Sequence, residues 1–283
     1  MRLVRFGDRG LERPGILDAG GVMRDLSEIV PDWNPSTLSN AVLRQIAALD
    51  PVSLPVVSGR HRLGVPVAGI PKFLAIGLNY ADLAQAMGRE LPSEPVFFTK
   101  AISCLAGPDD PIVLPRGSTH TDWEVELGVV IGTRARYVDE TDALSHVAGY
   151  CLVNDLSERE YQNNRGGTWD KGKGCDTFGP TGPWLVTRDE LNDPQDVDLW
   201  LEVNGVRWQD GHTRTMIFPV AKLISYLSEF MTLEPGDLIA TGTPPGFGAA
   251  AKPPVFLRDS DQVRLGSAKL GTQQHLVEAW RAA

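Results

Sequence analysis

Residues 121–131 read Thr-Asp-Trp-Glu-Val-Glu-Leu-Gly-Val-Val-Ile, and no other stretch limits the fold as tightly. Strand side chains alternate between the two faces of a sheet. Glu124 and Glu126 therefore share one face, while Val125, Leu127, Val129 and Ile131 share the other, apolar face. Two carboxylates about 7 Å apart on one face repel each other unless something screens them. Water does so at an exposed strand edge, and on the pattern alone that is the default. A hard divalent cation, which takes oxygen ligands, does so as well.

Similar runs recur. The segments 72–79, 96–100, 146–155 and 238–243 are rich in Val, Leu, Ile and aromatic residues and predict strands. Helical spacing is confined to 38–50, a short piece at 80–88, and 216–231, where Ile217, Val220, Ala221, Ile224 and Leu227 fall on one face. Gly20-Gly21 marks a hairpin-type turn after an alternating start. Strands thus outnumber helices, and the expectation is a β-rich α+β fold. The Pro-rich stretch 51–69 predicts a connector. A division near residue 68 follows, with a small β-rich N-terminal unit at 1–68 and the main unit at 69–283.

Composition excludes some functions. A formal net charge of −9 argues against a nucleic-acid surface, which needs clustered Lys and Arg. No run of about 18 apolar residues predicts a membrane-spanning helix. The first residues lack the continuous apolar core of a signal peptide. Three widely spaced cysteines form no CxxC pair, which suggests neither a zinc knuckle nor a disulfide framework, and fits a reducing, cytoplasmic setting.

Asp155 ends the apolar run 149–155 and is followed by Ser157, Arg159, Gln162, Lys171, Lys173, Asp176 and Thr177. Such a density of carboxylates and cations favours a metal site over a solvated edge. All-oxygen ligation favours Mg²⁺, Mn²⁺ or Ca²⁺. The histidines are scattered, and each alone is more often structural than a ligand.

With these pieces in order, the chain resembles the fumarylacetoacetate hydrolase superfamily. The matching segments are 76–82 (IGLNYAD), 95–100 (PVFFTK), 122–132 (DWEVELGVVIG), 149–162 (GYCLVNDLSEREYQ), 171–187 and 235–248 (PGDLIATGTPPGFG). The likeness covers roughly residues 70–266 and implies a mixed β-roll. It implies that Glu124, Glu126 and Asp155 hold the metal and that Lys173 is the active-site lysine. By the same likeness Arg159 and Gln162 frame the substrate, and Thr243 contacts its carboxylate. Tyr80, Lys100 and Asp176, within the matching segments, are expected to touch substrate too. The implied substrates are small 2-oxo or 2,4-dioxo acids, with diketo-deoxy sugar acids the nearest likeness, and the implied assembly is a homodimer.

One element departs. Hydrolytic members carry His-x-x-Glu on a lid helix after the NYAD-like segment, a spacing that puts both residues on one helix face. There the Glu orients the His, and the His deprotonates water. Leu83 and Ala86 stand at those places here. Either another group activates water (the metal, Lys173, Asp82, His120 or His212), or the reaction needs no water, or the protein only binds. Residues 80–92 are the expected lid. Cys175, where relatives often carry an aromatic residue, is expected to be a small buried hydrophobe.

Overall fold

The computed structural model describes residues 1–88 and 90–282. Its largest sheet has ten strands. At the centre, Val125–Ile131 lies antiparallel to Val147–Asn154 on one side and to Leu238–Ala240 on the other. Phe73–Gly77 and Val96–Thr99 extend the sheet beyond Leu238–Ala240. Gly179–Thr187 extends it beyond Val147–Asn154. A second sheet of five strands carries Val206–His212, Asp198–Val203, Gln262–Ser267, Gly271–Glu278 and Ile112–Val113. The α+β class is as expected, with strands dominant and short helices at the margins.

The central strands are apolar because both faces are covered. Every residue of Val125–Ile131 and of Val147–Asn154 is buried. The face carrying Glu126 is therefore no solvated edge, and the exposed-strand reading of the alternation fails. The helix Val220–Phe230 begins at Pro219, whose missing N–H costs nothing at a helix start, and buries Val220, Leu223, Ile224 and Leu227. Among the described residues no helix is long and apolar enough to cross a membrane.

The N-terminal residues form the strands Arg2–Phe6, Arg13–Leu17 and Met23–Asp25, with the turn at Asp18–Val22 where Gly20-Gly21 predicted it. Asn40–Ala47 is a helix whose Ser39 side chain caps the amide of Val42. From 51 to 69 the chain holds a 3₁₀ turn at Pro51–Ser53 and otherwise isolated bridges. The first strand pairs with Gly179–Thr187, so this segment adds its strands to the edge of the main sheet. Arg62 ties it further, reaching Glu12 at 2.8 Å and Asp110 at 2.6 Å.

Candidate active site

Strand register assembles the carboxylates. Asn154 pairs with Val125 and Val153 with Glu126, so the next step along both strands sets Asp155 opposite Glu124. The Asp155 amide donates to the Glu124 carbonyl at 2.9 Å and locks that step. Directly opposed residues present side chains on the same face. Oxygens of Glu124, Glu126 and Asp155 consequently lie within 4.8 Å of one another, all three residues being buried.

Cations surround the trio. Lys173, at the end of the helix Asp170–Lys173, places Nζ 2.6 Å from Glu124 Oε2 and 2.6 Å from Asp155 Oδ2. Lys100 Nζ is 2.6 Å from Asp155 Oδ1. Arg159 donates to Glu124 Oε1 at 2.6 Å and to Asp122 Oδ2 at 2.8 Å, while its third nitrogen donates to Gln162 Oε1 at 3.1 Å. Burial would raise the Asp155 carboxyl, but Lys100 and Lys173 outweigh it and hold it below its ordinary value. Burial would likewise lower Lys173, and the Asp155 and Glu124 charges hold it above the usual lysine value.

Glu126 differs. Its partner is the Gly242 amide, at 2.7 Å from Oε2. That approach requires glycine: φ at Gly242 is +97°, and a Cβ would lie 2.8 Å from Asn79 Cβ. Burial pushes the Glu126 carboxyl well above the carboxylate range, and the Asp155 and Glu124 charges push it further. A buried carboxylate short of cations, beside two others, is what an oxygen-liganded divalent ion offsets. The residues present fit such an ion, with Glu124, Glu126 and Asp155 as its holders.

The trio opens into a cavity of about 240 Å³. Arg159, Gln162, Lys173 and Thr243 also line it. The rest of the lining is largely apolar, with Ile76, Leu83, Met87, Phe98, Trp169 and Phe247. Gly77 makes room for that lining, since a Cβ there would meet the Trp169 ring at 2.5 Å. Thr243 Oγ1 donates to the Val125 carbonyl at 2.9 Å and accepts from Gln209 Nε2 at 2.8 Å.

Three of the expected substrate contacts stand outside the cavity lining. Tyr80 is fully buried, and its hydroxyl has no hydrogen-bond partner among the described residues. Lys100 is buried behind Asp155 and also donates to the carbonyls of Leu156 and Lys173. Asp176 is exposed. Lys171 donates to the Arg165 carbonyl at the surface, and Thr177 accepts from the Val113 amide. His120 is exposed against Phe256, and His212 sits with Asp196 and Arg214; neither lines the cavity. Asp82 accepts from the Leu83 amide and from Thr215 Oγ1. Cys175 is half-buried and lies outside the lining, so it neither widens nor narrows the pocket. Within the expected lid, Ala81–Ala86 is a helix, Leu83 faces the cavity, and Arg89 lies outside the described residues.

Two residues escaped the sequence reading. Asp122 is buried and accepts from Arg159 and from the amides of Trp123, Gly248 and Ala249, joining Arg159 to the loop that closes the cavity. Its place directly before the Glu124 strand was a usable signal. Gln209 braces that strand from the second sheet, accepting from the Val125 amide at 2.9 Å. Nothing local to Gln209 announces this.

Residues 72–278 match the family model described as fumarylacetoacetate (FAA) hydrolase C-terminal. A protein of Burkholderia multivorans, named only provisionally as a hydrolase, is 60% identical over 99% of this chain and 100% of its own length. Fumarylacetoacetate hydrolase from Exiguobacterium antarcticum superposes with a TM-score of 0.87 at 36% identity, covering 99% of this chain and 100% of that one. Maleylpyruvate hydrolase from a Sphingobium species, solved with manganese(II) and pyruvate, gives 0.82 at 30% identity over 99% and 100% of the two chains. The 5-carboxymethyl-2-hydroxymuconate delta-isomerase of Mycobacterium smegmatis gives 0.77 at 32% identity over 100% of both. Strand register, the buried carboxylate trio and the family model agree that this chain belongs to the fumarylacetoacetate hydrolase family.

Proposed function

We propose that the protein is a divalent-metal-dependent enzyme that cleaves a 2,4-dioxo (acylpyruvate-type) acid to pyruvate and a second acid. The observation that carries this reading is the buried oxygen cluster with Lys173, Arg159, Gln162 and Thr243 arrayed around one cavity. Bound by Glu124, Glu126 and Asp155, Mg²⁺ or Mn²⁺ would supply Lewis-acid polarisation of the 2-oxo acid. Lys173, held cationic by its two carboxylate neighbours, offsets negative charge as it develops on the substrate oxygens. Arg159 is fixed by Asp122 and Glu124, so it presents Gln162 and its own guanidinium to the cavity in one orientation. Thr243, its proton held by the Val125 carbonyl and one lone pair by Gln209, lines the cavity beside them with its remaining lone pair.

One observation favours a second reading. No histidine is among the described residues lining the cavity, and Leu83 faces it. Enolisation followed by isomerisation, dehydration or decarboxylation needs no water nucleophile, and the M. smegmatis neighbour is named as an isomerase. A metal-dependent binder without turnover is the remaining reading. A homodimer in a reducing, cytoplasmic setting goes with any of these, and sedimentation tests the dimer.

The deciding experiment incubates the protein with Mg²⁺ or Mn²⁺ and an acylpyruvate while pyruvate and enol absorbance are followed together. Metal-dependent pyruvate release supports cleavage. Loss of enol absorbance without pyruvate sinks cleavage and supports the water-free reaction. Silence in both channels across a panel of 2-oxo acids leaves binding.

A further inference from the structure

Beside the carboxylate cavity lies a second cleft of about 430 Å³. The two share Leu83, Met87, Phe247 and Ala250 as a common wall. The first holds the charged groups. The second is completed by Ala86, Trp208, Pro245, Gly246 and Ala251, with the exposed Lys252 as its one charge among the described residues. A single loop builds both, since Thr243 belongs to the first and Pro245 to Ala251 reach into the second. Close backbone approaches seat that loop. Gly246 has φ +109°, and a Cβ there would lie 1.9 Å from the Trp208 carbonyl; a Cβ on Gly211 would lie 2.3 Å from Pro244. Trp208 in turn rests on the buried Trp123, ring centroids 5.3 Å apart. The cleft is thus a supported part of the fold, and it adjoins the charged cavity at the four side chains the two share.

We propose that this cleft takes the acyl tail of the substrate and that the tail is a hydrocarbon chain. The inference rests on the reading of the carboxylate cavity as the seat of the 2-oxo acid. A polyhydroxylated tail would exchange water for Met87, Phe247 and Trp208, which return few hydrogen bonds. A chain of methylenes loses nothing there and gains by leaving water. Leu83 and Ala86 acquire a purpose on this account: they continue the apolar wall from head to tail, where a charged pair would interrupt it.

The test is calorimetric titration, with Mn²⁺ present, of pyruvate, 2-oxobutanoate, 2-oxohexanoate and 2-oxooctanoate. Affinity should rise by about fourfold per added methylene until the cleft is filled. The diacid 2-oxoadipate should bind more weakly than 2-oxohexanoate. Ala86→Trp and Ala251→Trp each fill the cleft and should each flatten the series, and having two positions guards against one variant that does not fold. Pyruvate that binds with no rise along the series, or a preference for the diacid, overturns the apolar tail site alone. A protein that binds no 2-oxo acid with Mn²⁺ overturns the head-site reading and the tail site with it.

Discussion

Lys173 is where metal binding and turnover should separate. Its ammonium stands 2.6 Å from Glu124 Oε2 and from Asp155 Oδ2, on two of the carboxylates proposed to hold the ion. It therefore neutralises the same carboxylates that the ion would. Lys173→Met should bind Mn²⁺ more tightly by calorimetry, while turnover falls by about 100-fold or more for want of charge stabilisation. Unchanged metal affinity with full turnover would remove Lys173 from the reaction. A parallel loss of both, with a lower unfolding midpoint, would make it a structural prop. The placement of Lys100 sharpens the contrast. It is the second cation on Asp155, and it lies outside the cavity lining, where it touches the carboxylate from behind.

Short helices deliver the polar groups, and their packing tolerates no added bulk. Gly172 sits where Asp170–Lys173 crosses Arg159–Asn164; a Cβ there would lie 2.5 Å from the Glu158 carbonyl and 2.7 Å from Gln162 Cβ. Gly172→Ala should cost about 1–3 kcal/mol in urea unfolding, as overpacking does. It should also lower turnover, because the shift separates Lys173 from Arg159 and Gln162. The helix Ala81–Ala86 offers the opposite manipulation. Residues three apart share a face, so Leu83→His with Ala86→Glu would place an oriented base over the cavity. If cleavage is limited by water activation, pyruvate release should rise by about 10²–10⁴-fold. No rise in pyruvate would mean that the reaction does not wait on water.

At the scale of the whole molecule, ion pairs brace the first 68 residues and tie them to the rest of the chain. Arg5 holds Asp32 at 2.7 Å within that segment, and Arg62 bridges Glu12 inside it to Asp110 beyond it. Burial would raise the Glu12 and Asp110 carboxyls, but Arg62 together with backbone amides and neighbouring arginines holds both below their ordinary values. Depressed carboxyls contribute stability that is present above their unfolded values, near pH 4, and lost as pH falls through their folded ones. Arg62→Ala should lower stability at neutral pH by about 1–3 kcal/mol. Its deficit against wild type should shrink as pH drops below about 4. Thermal melts of both proteins from pH 7 to 3 check the sign; a deficit that grows toward low pH would refute it.

Much of the site was legible because alternation is local. The run 121–131 carries its own evidence that Glu124 and Glu126 point one way, and the apolar runs 72–79, 146–155 and 238–243 each hold a strand of the main sheet. The helix after Pro219 was legible for the same reason. Gly179–Thr187 was not, because Gly or Pro fills four of its nine positions and turn chemistry masks a strand. Nor could the alternation say whether the carboxylate face met water. Burial is decided by distant chain, here Gln209 and the loop 241–250 laid against the strand. Register is also a long-range quantity, and it sets Asp155 opposite Glu124, while the packing of loops and short helices leaves Tyr80, Lys100 and Asp176 off the cavity. Residue chemistry thus identified which groups could bind a metal, while packing between distant segments decided which share a cavity and what apolar surface lies beside it.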